Sequence, residues 1–333
     1  MIREWAVVYS RLYRWVGLFN MLTASFTHDS VLLSEAIAAL MIRPDGLYID
    51  GTYGRGGHSA LVLQALGLQG KLVVIDKDLS AIEHARSVYQ DDPRVCIWHG
   101  SFKDFDQALK AFQLTQPLDG LLLDLGVSSP QLDDAERGFS FMRQGALDMR
   151  MNTAQGLSAA DWINNAPEAD ISDVLWRYGE ERFSRQIARK IVQTRSTQPL
   201  KTTLQLAELI AQTIPKKEPH KHPATRSFQA IRIKINEELH DIETCLVKSL
   251  DYLGIGGRLS IISFHSLEDR LVKQFMREYS TPKRLPKGLP ILDDQTEIPP
   301  LKIIGKAMRA SEQEIVNNIR ARSALLRIAE RMR

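Results

Sequence analysis

The residues best suited to chemistry are gathered in Asp50-Gly51-Thr52-Tyr53-Gly54-Arg55-Gly56-Gly57-His58, with Asp76 further on at the end of an apolar run. A glycine-rich turn lets backbone approach a ligand closely, and free N–H groups at the start of a following helix attract negative charge. An acid about 20 residues past such a turn is placed to accept the hydroxyls of a ribose. Together these types and spacings describe a nucleotide-containing cofactor held at a sheet edge. Two details select among such cofactors. Restarting at Gly54 gives Gly54-x-Gly56-x-x-Ser59, without the third glycine of a dinucleotide fingerprint. Asp50 directly before the loop would face a pyrophosphate, an anion against an anion, whereas it suits a ligand with a positive amino group. The loop therefore reads as a site for S-adenosylmethionine rather than for a nicotinamide dinucleotide.

The elements that must position this loop are legible on either side. Gly46 to Ile49 reads as a short buried strand, Ser59 to Leu68 has helical spacing of apolar residues, and Lys71 to Ile75 forms a second strand ending at Asp76. A third strand, Arg94 to Trp98, is followed by Phe102, which reads equally as a platform for an adenine ring or as a core aromatic. A fourth, Leu118 to Leu123, delivers Asp124 to the same edge, ahead of the polar loop Leu125 to Gln131.

From Asp133 to about Pro223 the strand pattern stops and helices are expected at Asp170–Tyr178, Glu181–Gln193 and Thr203–Ile214. In the second, Phe183, Ile187 and Ile191 make an apolar stripe, with Arg182, Arg185 and Arg189 together on another face. Those arginines are either a solvated face or an RNA contact. His220 and His222 in the basic loop lack a third nearby ligand, so no metal is expected. Ala224 to Leu253 reads as one long helix on the sheet, with Arg226 and Arg232 facing away from its apolar seam. Gly254-Ile255-Gly256-Gly257 should break it before a fifth strand, Arg258 to Phe264. A helix then starts at Ser266, with Ser266 and Asp269 as its capping pair, while His265 reads either as a substrate contact or as a residue bonded to backbone. Thr281 to Pro300 reads as a loop, and Ala324 to Ala329 as a final edge strand.

The 333 residues, 44% hydrophobic and 25% charged, fit one large domain with an insertion. A net charge of +3 and a pI near 8.8 permit a polyanionic partner without requiring one. Cys96 and Cys245 lie far apart, which excludes a disulfide framework or cysteine zinc site and suits a reducing cytoplasm. Residues 1–26 contain no uninterrupted apolar run for a signal or membrane span. They read as an N-terminal extension, or as sequence ahead of a translation start at Met21.

The layout of strand, glycine loop, helix and strand-end acids resembles the class I S-adenosylmethionine-dependent methyltransferases. Longer blocks are similar to the MraW family of bacterial 16S rRNA methyltransferases, known as ribosomal RNA small subunit methyltransferase H. They are Asp50 to Ser59, Leu122 to Asp133, Gly138 to Arg143, Leu147 to Met151, Tyr178 to Phe183, His222 to Arg226 and Ser263 to Arg270. The resemblance runs from about His28 to Arg331. It implies an α/β, Rossmann-like doubly wound sheet with an inserted all-helical domain, N4-methylation of one cytidine in the decoding region of 16S rRNA, and no membrane. It also implies cofactor contacts at Gly56, Gly57, His58, Asp76, Phe102, Asp124 and Gln131, of which His58 and Gln131 follow from the resemblance alone. Residues 27–134 and 224–333 are expected to form the methyltransferase domain and residues 135–223 the helical insertion, a candidate RNA-recognition unit.

An exocyclic cytosine amine is a weak nucleophile, so the site must position it and exclude water. Asp124 with Ser128 and Ser129 are the candidate catalytic groups. Many amino-methyltransferases carry a Pro-Pro-aromatic loop here, whereas Ser128-Ser129-Pro130-Gln131 has no aromatic. Methylation at carbon 5 would need an active-site cysteine, and Cys96 and Cys245 fall within a strand and a helix. RNA contacts are expected at Arg182, Arg185, Arg189, Arg226 and Arg232. Two competing classes are a nicotinamide oxidoreductase and a catalytically inactive RNA-binding assembly factor on the same fold. Whether the substrate is free 16S rRNA or the assembled small subunit, and whether the chain is a homodimer, the sequence leaves open.

Overall fold

Three short apolar runs, Leu47–Asp50, Lys71–Asp76 and Leu118–Asp124, are buried along most of their length and line up in a parallel sheet because helices cover its two sides. The structure is a computed structural model and describes residues 30–215, 222–282 and 298–333. Expectations for residues 1–26, for His220 and for most of the loop 281–300 lie outside these residues. In chain order, α1 (Leu33–Leu40) precedes β1 (Leu47–Asp50), α2 (Gly57–Ala65), β2 (Lys71–Asp76), α3 (Leu79–Tyr89) and β3 (Val95–His99). Then come α4 (Phe105–Ala111) and β4 (Leu118–Asp124), followed by helices only: α5 (Ser129–Asp133), α6 (Ala159–Asn165), α7 (Glu168–Gly179), α8 (Ser184–Arg195), α9 (Thr203–Thr213), α10 (Thr225–Asn236) and α11 (Glu238–Tyr252). The chain returns to the sheet with β5 (Leu253–Ser263), α12 (Ser266–Ser280), β6 (Leu301–Ile303), β7 (Met308–Arg309), α13 (Glu312–Asn317) and β8 (Leu325–Arg331).

The sheet order is β3-β2-β1-β4-β5-β8-β6, with β7 also paired to β8. The first five strands run parallel, and β6, β7 and β8 are antiparallel. The chain steps outward from β1 to β3, then crosses back to place β4 on the other side of β1. Ligands collect at such a reversal, outside the carboxyl ends of the strands. Here that point lies between Asp50, in register with Leu122, and Asp124, in register with Ile262. The fold is thus the doubly wound α/β sheet expected.

Three local expectations change. Gly254 to Gly257 lie inside β5, with a register irregularity opposite Leu118 and Gly120, because glycine there lets the strand continue against β4 without side-chain conflict. A Cβ on Gly257 would stand 2.6 Å from the Leu118 carbonyl oxygen. β8 is interior, between β5 and β6, and not an edge. The cap of α12 is His265 with Glu268, a reciprocal pair one residue before the expected one.

The described chain divides into two units. One comprises the residues up to Asp76, Ser80–Leu125 and Ile242 onward; the other comprises Lys77–Leu79 and Gly126–Asp241. In the sheet unit, α1 is docked by Ser260, whose hydroxyl donates to the Ala36 carbonyl at 3.0 Å. Arg258 caps the same helix through the Ala39 carbonyl at 3.0 Å while pairing with Glu330. The helical unit has its own core of Ile171, Leu175, Ile187, Ile191, Leu206, Ile210, Phe228 and Ile231. These recur at helical spacing on α7, α8, α9 and α10, which is why the sequence switches period after Asp133. Gly179 permits α7 to touch α10, since a Cβ there would lie 2.7 Å from the Arg226 carbonyl oxygen.

The helical unit is larger than the insertion expected over 135–223. The single long helix expected over 224–253 is two, broken at Glu237, whose φ of 53° is left-handed. Phe228 and Ile231 then pack into the helical core rather than onto the sheet, carrying α10 into the second unit. No helix among the described residues is long and apolar enough to cross a membrane.

Candidate functional site

The loop after β1 is tied to both neighbouring strands through its backbone. Gly51 N–H donates to the Leu122 carbonyl at 3.0 Å and Tyr53 N–H to that of Ile75 at 3.1 Å. Gly54 N–H donates to the Asp76 carboxylate at 2.8 Å. The Thr52 hydroxyl accepts the Asp124 N–H at 2.6 Å, so the loop also fixes the end of β4. Glycine is required along this path. A Cβ on Gly51 would lie 2.5 Å from the Leu123 side chain, and Gly56 combines a φ of 79° with a Tyr53 ring 2.7 Å from its would-be Cβ. Gly56 starts α2 with no side-chain cap, which leaves the first N–H groups of that helix to a ligand or water.

Three carboxyl groups, those of Asp50, Asp124 and Glu268, converge near this loop. Asp50 is buried; it accepts the Ser59 hydroxyl at 2.6 Å and the Thr52 N–H at 3.1 Å. Burial pushes its carboxyl up to about 6, helped by Asp76 and opposed by those two hydrogen bonds. Asp50 thus staples the loop to α2 from within, and is not the exposed acid that its place before the glycines suggested. Asp124 has a partly exposed side chain, and its buried Oδ1 atom has no hydrogen-bond partner. Burial raises its carboxyl well above the usual range, and the charges of Asp50 and Glu268 push the same way. Glu268 is fully buried and accepts the N–H groups of Phe264 at 2.8 Å and His265 at 3.2 Å.

His58 lies 3.8 Å from Asp124 through Nδ1, but burial pulls its pKa down to about 4, against the effect of a hydrogen bond with the Val31 backbone. It is therefore a neutral ring at neutral pH, a polar wall rather than a counter-ion. Phe102 is half-buried where β3 ends, its Cβ 2.9 Å from the position a Gly51 Cβ would take. The structure thus brings Gly56, Gly57, His58, Asp76, Phe102 and Asp124 into one unit at one sheet edge. Thr52, Ser59 and Glu268 escaped the sequence reading. A Thr two places after a strand-end acid is common, and only the folded register shows it holding Asp124.

The remaining expected residues lie in the helical unit. Ser128 caps α5, and Gln131 completes the capping box by accepting the Ser128 N–H at 2.9 Å. The Gln131 amide donates to Asp78 at 2.9 Å, and Asp78 pairs with Arg137 at 2.7 Å. Gln131 is buried in that network. Arg182, Arg185 and Arg189 are exposed beside a buried Ile187 and Ile191, as their spacing suggested.

Arg226 and Arg232 are placed differently. Arg226 is half-buried and caps α7 through the Glu180 carbonyl at 3.0 Å. Arg232 forms a two-pronged pair with Glu238, both contacts at 2.8 Å, and the two side chains are only 15% and 7% exposed. Its guanidinium thus has a structural role within the helical unit. Removing one partner of a buried pair strands the other, so Arg232→Ala should destabilise the protein by about 3–5 kcal/mol, read by chemical denaturation. A loss below about 1 kcal/mol would show that the pair is open to water.

A family model described as the MraW methylase family matches residues 25–332. Among solved structures, a candidate rRNA methylase from Clostridium thermocellum is 11% identical over 92% of this chain and 100% of its own, with a TM-score of 0.43. An rRNA methylase from Streptococcus thermophilus is 11% identical over 93% and 100%, at 0.41. A candidate methyltransferase from Streptococcus mutans, in complex with SAH, is 13% identical over 92% and 100%, at 0.41. Such distant likenesses assign no residue.

Proposed function

The chain belongs to the MraW methylase family, whose methyl donor is S-adenosylmethionine, and on that footing we propose that it methylates N4 of one cytidine in the decoding region of 16S rRNA. The observation that carries the site is the buried, unpartnered Oδ1 of Asp124, at the sheet reversal beside an uncapped, glycine-lined helix start. The donor set fits. Asp76 stands where an acid meets ribose hydroxyls, Phe102 offers a ring face, and clustered carboxyls suit the positive ammonium and sulfonium groups of the donor. When bound, S-adenosylmethionine supplies a methyl group on a sulfonium, so the leaving group needs no activation.

The protein's part is to hold the amine and take its proton. Asp124 accepts a hydrogen bond from the cytosine N4 group, drawing its lone pair out of conjugation with the ring. With the donor held at the glycine loop, its sulfur would keep the electron pair of the C–S bond as the amine nitrogen bonds the methyl carbon. The methylated nitrogen then sheds one proton, to the Asp124 carboxylate or to water. Burial first, and then the charges of Asp50 and Glu268, make that carboxylate a better base by raising its pKa. His58, neutral and buried, adds no competing charge. Comparing rRNA nucleosides by mass spectrometry from cells with and without the protein tests this. N4-methylcytidine should disappear with the protein, and its persistence would contradict the assignment.

The raised acids fix the sign of the pH dependence. Asp50 in the folded protein keeps its proton up to about pH 6, against 3.8 unperturbed, so folding stability falls as pH rises across that window. A cationic ligand favours the ionised carboxylates. Cofactor binding should therefore release protons and tighten between pH 5 and about pH 7. Calorimetry in two buffers of different ionisation enthalpy reads the proton count, and pH-independent affinity would place the donor's charges elsewhere.

The exposed arginines supply the RNA surface. Replacing Arg182, Arg185 and Arg189 with glutamine should lower the log–log salt slope of RNA binding by about 0.7 to 0.9 per lost phosphate contact, with cofactor affinity unchanged. An unchanged slope would make them a solvated face.

A further inference from the structure

Between α8 and α9, within the helical unit, lies a groove of about 400 Å³ lined by Gln186, Arg189, Lys190, Gln193, Gln212 and Thr213. We infer that this groove is a binding site for an unpaired segment of the RNA substrate. The inference rests on the RNA-methylase reading and names one place where the substrate is gripped.

The lining is unusual in composition. Gln186, Arg189 or Lys190, and Gln193 recur at the three- and four-residue spacing that puts them on one face of α8, while Ile187 and Ile191 turn into the core. Three side-chain carboxamides share the groove with two cations, and among the described residues no acid lines it. Over its whole length, Ser184–Arg195, α8 carries Arg185, Arg189, Lys190 and Arg195 and no acidic residue. Arg189 reaches Glu168 only at 3.9 Å, with both side chains largely exposed, a contact that an anion would readily replace. Glu208 lies on α9 outside the lining.

Cations alone would suit any polyanion. Carboxamides add donors and acceptors together, the pairing that reads the edge of a base. In duplex RNA those edges are hidden in a deep groove, whereas unpaired bases expose them. The volume lies in the range of ~300–1,000 Å³ typical of small-ligand clefts, room for a nucleotide but not for a helix. Phosphate on Arg189 and Lys190, with a base edge on Gln186 and Gln212, engages both cations and two of the three carboxamides of the lining.

The test uses the full-length chain, a single-stranded RNA with the decoding-region sequence and the same sequence as a duplex. Two double variants are compared: Arg189→Gln with Lys190→Gln, and Gln186→Ala with Gln212→Ala. All four positions are solvent-facing, and cofactor affinity checks that each variant is folded. The charge variant should lower the salt slope for single-stranded RNA by about 1.4. The glutamine variant should weaken single-strand binding by about 5- to 50-fold at an unchanged slope, with duplex binding unaffected. Wild-type affinity in the glutamine variant, or equal losses on duplex, would overturn the proposal in favour of a surface that senses charge alone. Formation of N4-methylcytidine by the wild type is scored separately. Product with unaltered RNA binding in both variants sinks the groove and spares the reaction; altered binding without that product supports the groove and sinks the reaction.

Discussion

Asp124→Asn is expected to lower methyl transfer by about 10²- to 10³-fold while leaving the protein folded. The amide keeps the shape of the side chain, and the Thr52 hydroxyl still holds the backbone N–H of residue 124 at 2.6 Å. What is lost is the negative charge and one acceptor at an atom with no other partner. Preorganised charge of this kind, aimed at a developing charge, accounts for the magnitude. Stability should stay level or rise, because Asp50 and Glu268 both repel the carboxylate that is removed. Single-turnover transfer at saturating cofactor, with thermal unfolding alongside, reads both effects. Full activity in the variant would remove Asp124 from the chemistry while leaving the fold as described.

Asp76→Ala should weaken S-adenosylmethionine binding by roughly 1.5–3 kcal/mol, or about 10- to 150-fold, through charge-assisted hydrogen bonds to the ribose. The folded protein adds a second reason for a loss. The same carboxylate accepts the Gly54 N–H at 2.8 Å, so its removal also frees the glycine loop that must shape the site. Asp76→Asn separates the two contributions, since the amide can still accept from Gly54 but carries no charge. Calorimetry on both variants reads the difference, and unchanged affinity in Asp76→Ala would place the ribose away from β2.

The sheet was legible because its central strands are continuous apolar runs ending in acids, a pattern few other structures produce. β1, β2 and β4 appear within a residue or two of where Ile49, Ile75 and Leu123 place them. What could not be read was how neighbours not adjacent in sequence dispose of polar groups. Asp50 looks like the ligand-facing acid from its place beside the glycines, yet Ser59 and Thr52 claim it, and Asp124 is the one left with an unpaired oxygen. Arg232 looks like a surface cation until Glu238, beyond the break at Glu237, folds back onto it. That break was itself hidden, because the apolar seam from Phe228 to Leu250 keeps its period across a single left-handed residue. The exposed arginines of α8 were legible because they depend only on spacing along one helix.

The central claim, methyl transfer to the exocyclic nitrogen of a cytosine, is met most directly by one measurement. Purified protein is given 16S rRNA, free or in small subunits, with S-adenosylmethionine bearing an isotopically labelled methyl group, and the RNA is digested to nucleosides for mass spectrometry. The label is predicted to appear in N4-methylcytidine. A labelled methyl at carbon 5 or on a ribose oxygen, or RNA with no label in either form, would contradict the account.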